Sequence, residues 1–196
     1  MLTKSRPVAL DGYGNELHRV GIVGEEVIRL SEVARALNST GVPAVISDDT
    51  GGLGPVSLTA VVAAVRFNHT WGLRGSVDFG HRLEELMHEI YPLLASSATV
   101  LLVVYSSHHR PRRRRKLRRG LQNFSYQAAA TGVMVSGTDL TVNAVELPVG
   151  SQDQLVAERL EQYLRHPRSK LPNGTVIDAG DLGRQSLSEA LIGDCF

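Results

Sequence analysis

ATVLLVVY, residues 98–105, is apolar at nearly every position and rich in β-branched side chains. Such a run has no face to turn to water. It predicts a strand in the centre of a sheet that is covered on both sides. Just before it, HRLEELMHEIYPLL repeats Leu83, Leu86, Met87, Ile90 and Leu94 at helical spacing, with His81, Glu84, Glu85 and His88 on the outer face. Just after it, Pro111 to Thr131 places Leu117, Leu121, Phe124 and Ala128 at i, i+4, i+7 and i+11. Pro111 is tolerated in a first helical turn, and Gly132 is the expected stop.

The same pattern continues outward. HRVGIVGEEVIRL suggests strands Arg19–Val23 and Val27–Leu30 around a Gly24-Glu25 turn. LSEVARALNSTG reads as a helix with Ser31 at its start and Val33, Ala34 and Leu37 inward. VPAVIS is a short strand. SLTAVVAAVRF fits a strand or a helix, and the strand is preferred because GLRGSVDF could pair with it. VMVSGTDLTVNAVEL gives two strand runs about Ser136–Asp139, and SQDQLVAERLEQYLRH an amphipathic helix. LPNGTVIDAGDLG reads as turn, short strand and loop, and SLSEALIGDCF as a last helix. The expected architecture is α/β: a single domain over residues 18–196, preceded by an arm at 1–17. Its mixed sheet has a central strand near 98–105 and helices near 81–95, 111–131 and 152–165.

At 196 residues the chain suits one core better than two. Its only cysteine, Cys195, permits no internal disulfide, which fits a reducing compartment, most simply the cytoplasm. No apolar signal core opens the sequence and no run is long enough to cross a bilayer, so no membrane partner is expected.

One part of the chain resembles a known family. EVIRLSEVARAL, PVSLTAVVAAVRF, GLRGSVDF, a helix and ATVLLVVY follow one another as in an uncharacterised actinobacterial domain family of unknown function. Ser57-Leu58, Gly75-Ser76-Val77-Asp78 and Leu102-Val103-Val104-Tyr105 carry the resemblance, over roughly residues 27–147. It implies an α/β fold and no activity.

The net charge of +1 conceals a pole. Residues 90–138 carry 8 basic side chains and no acidic one, all in HHRPRRRRKLRRG, 108–120. Like charges on adjacent helical turns repel, and cations in a first turn oppose the helix dipole. Helix stability alone would place acids there, so a counter-charge is expected. Within the chain the helical acids Glu84, Glu85, Glu89, Glu158 and Glu161 could supply it. An outside polyanion could equally do so. The run lies just beyond the carboxyl end of the central strand, the edge where open α/β sheets bind ligands. The predicted polyanion contacts are Arg110, Arg112, Arg113, Arg114, Arg115, Lys116, Arg118 and Arg119, helped by Ser106, Ser107, His108 and His109.

Other groupings carry less. DDTGGLGP is neither a Walker loop nor a dinucleotide fingerprint, so no cofactor is expected. Asp48, Asp49, Asp78 and Asp139 could together hold Mg²⁺ in a phosphodiester hydrolase. His81, Glu85 and His88 share a helix face without metal-ligand spacing, and Ser106 or Ser107 beside His108 or His109 lacks a nucleophile elbow. The expectation is a non-enzymatic protein that binds nucleic acid. The alternatives are the metal-dependent hydrolase and a regulatory protein docking on an acidic protein surface.

Overall fold

Three long apolar segments become neighbouring strands: β3 (Leu58–Phe67), β4 (Leu94–Ser106) and β5 (Asp139–Pro148). β1 (Val20–Val23), β2 (Ala44–Ser47) and β6 (Val176–Asp178) complete one sheet in the order β2-β1-β3-β4-β5-β6. The computed structural model describes residues 18–25, 30–54, 57–67, 73–107, 111–149, 153–165 and 172–193. The expected arm at 1–17 and the expected strand residues 27–29 lie outside them.

β4 is the centre that its composition predicts. Leu101, Val103 and Tyr105 enter the core on one face of the sheet, and Val100, Leu102 and Val104 on the other. The first face is covered by α1 (Ser31–Ser39), α4 (Asp153–Arg165), α5 (Ala179–Arg184) and α6 (Leu187–Gly193). The second is covered by α2 (Leu73–Ile90) and α3 (Pro111–Ser136). SLTAVVAAVRF is a strand, as preferred, and is buried on both faces.

Five expectations need correction. Among the described residues the sheet is not mixed: all five strand pairings are parallel. GLRGSVDF, expected to pair with β3, forms from Leu73 onward the start of α2. There Phe79, Leu83, Met87 and Ile90 continue one helical stripe into the core. Nor is VMVS a strand. It is the last turn of α3, with Val133, Met134 and Val135 in solvent. Gly132 does not stop that helix; a Cβ there would stand 2.6 Å from Leu140 Cδ2, so the glycine allows α3 to approach β5. The helix ends instead at Gly137, which has φ 69° and donates its N–H to Val133 O. The AGDLG segment expected as loop is α5, closed by a reciprocal capping box between Asp178 and Asp181.

The short edge strand β2 is partly closed off. Asn38 donates its side-chain amide to Ala44 O and accepts from Ala44 N–H, occupying one edge position as a strand backbone would.

At the end of β1, Gly24 has φ 122°, and a Cβ there would stand 2.1 Å from Ala64 O. Backbone cannot yield as a side-chain tip can. Gly24→Ala should cost about 1–3 kcal/mol in urea unfolding; an unchanged midpoint would contradict this packing of β1 on β3.

Candidate functional site

β4 ends at Ser106 and α3 begins at Pro111, so the arginine run starts at the carboxyl edge of the sheet. Register then decides what the run meets. Glu146 sits opposite Val104 on one side and Asp178 on the other. Strand alternation turns Ser106, Glu146 and Asp178 toward the face that α3 covers. Glu146 is 1% exposed, an acid at the end of an apolar strand.

Two arginines answer it. Arg114 Nε lies 3.4 Å from Glu146 Oε1, and its NH2 group donates to Asp178 Oδ2 at 3.2 Å. Arg118 NH1 is 3.7 Å from the same Asp178 oxygen, and its NH2 group donates to Val176 O. The hydroxyl of Ser106 donates to Glu146 Oε1 at 2.9 Å. Asp178 Oδ1 meanwhile accepts the backbone N–H groups of Gly180 and Asp181. Burial would raise the Asp178 carboxyl, but those two N–H groups and the charges of Arg114 and Arg118 outweigh it, and the group sits below its ordinary value.

The outer side of the helix is different. At 3.6 residues per turn, Arg112, Arg115, Lys116, Arg119, Asn123 and Tyr126 fall within one sector about 100° wide. All six are exposed. None of the four cations pairs with a described carboxylate. Arg113 is exposed at the flank of this sector. The same outer side of α3 ends in the exposed Val133 and Met134.

The run is therefore divided. Arg114 and Arg118 are turned inward and held by the protein's own acids; they are not free contacts as expected. Ser106 is buried and bonded to Glu146, so it too is withdrawn, while Ser107 is half-buried at the strand end. His108, His109 and Arg110 lie outside the described residues. The expected neutralisers are engaged elsewhere: Glu89 accepts from Thr50, Glu84 meets His81, Glu158 accepts from Gln154, and Glu161 pairs with Arg165. Glu85 is exposed on α2. The real counter-charges, Glu146 and Asp178, were not singled out from the sequence. The readable signal was an acid inside NAVELP, an otherwise buried strand.

The four aspartates of the hydrolase alternative are not brought together. Asp139 opens β5 opposite Ser97, at the amino edge of the sheet. Asp48 and Asp49 follow the carboxyl end of β2, where Asp49 accepts the Gly52 N–H and shapes the loop. Asp78 is exposed on α2. Among the described residues no group of three or more His, Cys, Asp or Glu could hold a metal ion. No helix among them is long and apolar enough to cross a membrane.

No family model matches the chain, and no curated protein matches it. Among solved structures it is similar to BdcA (YjgI) from E. coli, with a TM-score of 0.52 at 16% identity, over 82% of this chain and 97% of that one. It is also similar to the protein lin1944 from Listeria innocua, with a TM-score of 0.49 at 11% identity, over 83% and 99% of the two chains. The first likeness supports the α/β architecture with its parallel sheet; at that identity it speaks for the fold alone.

Two outcomes follow from the anchor. Removing Arg114 strands a buried carboxylate, so Arg114→Ala should cost about 3 kcal/mol. Arg115→Ala, one residue away on the open side, should change stability by less than about 0.5 kcal/mol. Equal effects in urea unfolding would refute the division of the helix. The second outcome concerns pH. A carboxyl lowered on folding stabilises above its unfolded value, near 4, and loses that contribution as pH falls through the lowered folded value. Asn can still cap α5, so the stability gap between wild type and Asp178→Asn reports mainly on the arginines. It should be full at pH 7 and close at the acid end of a pH series; a gap that is constant with pH would be wrong.

Proposed function

We propose that this protein binds nucleic acid through the outward face of α3, with Arg112, Arg115, Lys116 and Arg119 as the phosphate contacts. The observation that carries this reading is the split of the run. The inner arginines have counter-charges within the fold, while four cations on one exposed sector have none among the described residues. Crowding them there works against the helix, since they repel one another and oppose its dipole. A polyanion relieves both effects at once.

The inner pair has a supporting part. Arg114 and Arg118 fasten the first turns of α3 to β5 and β6, so the outer cations stand on a rigid element. Arg113 extends the basic surface at the helix start. The resemblance to the actinobacterial family brings no activity with it, and the reading rests on the helix. It is a binding activity and requires no cofactor.

Contacts of this kind position a backbone and carry little sequence information. Anisotropy of a labelled oligonucleotide should show binding at low ionic strength that weakens steeply with salt. Four contacts predict a slope of log affinity against log salt of about −3 to −4, depending on strandedness. Replacing Arg112, Arg115, Lys116 and Arg119 together by Gln should abolish binding and leave the fold as stable or more so. If wild type shows no salt-sensitive binding to DNA or RNA, the reading is lost. Equivalent binding by the quadruple variant would also defeat it.

A further inference from the structure

We infer that the nucleic acid taken by this face is single-stranded, and that Tyr126 is the platform on which one of its bases stacks. The inference rests on the reading above and adds a second, uncharged contact to it. Tyr126 lies in the same outward sector as the four cations, two helical turns beyond Arg119, or about 10.5 Å along the axis. It is 52% exposed. Asn123, exposed between them, is neutral and can donate or accept hydrogen bonds.

The ring is not loose. It lies against Gly174, in the turn that leads into β6. A Cβ on that glycine would come within 2.5 Å of ring atom Cε2 and 2.6 Å of Cζ. Gly174 has φ 77°, a conformation that favours glycine on its own account. The backbone therefore turns a bare glycine to the ring and lets it rest there, while half of the side chain stays in solvent. A braced aromatic beside a cationic track is the pairing that single-strand binding uses: phosphates follow the charges and a base covers the ring.

Strandedness follows from the chemistry of that contact. Within a duplex each base is already stacked on both faces, so Tyr126 would find a partner only at an end. An unpaired strand that runs from Arg112 past Arg119 can turn a base onto the ring without breaking a pair. Stacking of this kind tolerates any base, which agrees with cations that read no sequence. Contacts with β6 and with the turn before it hold the geometry. Arg114 bonds to Asp178, Arg118 to Val176 and Tyr126 rests on Gly174, so α3 descends along β6 in step.

The test compares four probes at one low ionic strength: labelled oligo(dT), a duplex of the same length, heparin, and vesicles of anionic phospholipid. Oligo(dT) should bind more tightly than the duplex and the vesicles. Tyr126→Ala should weaken oligo(dT) by about five- to hundredfold and leave the salt slope unchanged, while Tyr126→Phe keeps the affinity. Heparin has no bases, so its affinity should not respond to either variant. In wild type the ring protons of Tyr126 should shift upfield in NMR spectra on adding oligo(dT), a readout that survives if the alanine variant fails to fold. Tighter binding to duplex or vesicles, or ring signals that do not move, overturns the inference. So does an alanine variant that binds oligo(dT) as wild type does. Absence of binding to every probe instead removes the polyanion reading beneath it.

Discussion

A buried carboxylate at the end of β5 is the constraint around which the rest of the structure is arranged. Glu146 is buried beside the core, and α3 brings a cation to it. Arg114 reaches it, Ser106 donates to it, and Asp178 on the neighbouring strand draws Arg114 and Arg118 together. The cluster ties β4, β5, β6, α3 and the capped start of α5 at the carboxyl edge of the sheet. Ion pairs so placed do more to fix geometry than to add net stability, because desolvation offsets much of their attraction. Here the geometry fixed is the orientation of a long helix about its own axis.

That orientation has a functional consequence. Once Arg114 and Arg118 are turned inward, helical periodicity sends Arg112, Arg115, Lys116 and Arg119 outward as a set. A uniformly basic run becomes a helix with a neutralised inner edge and a charged outer face. The inner acids lie beneath the helix and do little for cations on the far side, where solvent screens them. Tyr126 continues the same face, seated on Gly174.

Much of this was legible in the sequence. β3 and β4 show themselves because strands buried on both faces are apolar at nearly every position, and the arginine run marks both its helix and its edge of the sheet. The errors have physical reasons. GLRGSVDF has glycines and β-branched character, which resemble a strand in a short window; only Phe79, aligned with Leu83, Met87 and Ile90, shows that the helix begins there. VMVS resembles a strand for the same reason. What carries α3 past Thr131 is Gly132, whose missing side chain lets the helix approach Leu140 of β5 and continue to Ser136. The partition of the arginines was not legible, because it depends on the register of β5 and β6, which places Glu146 beside Asp178. Sequence alone treats Arg114 and Arg115 alike.

The most direct measurement is an NMR titration that follows the arginine guanidinium N–H signals of α3 as single-stranded oligonucleotide is added at low salt. In free protein the signals of Arg114 and Arg118 should be sharp and slow to exchange with solvent, held by Glu146 and Asp178. Those of Arg112, Arg115 and Arg119 should exchange fast, then shift and become protected as the strand binds. If all five respond alike, or if the inner pair moves first, the helix is not divided into a held inner pair and a free outer face.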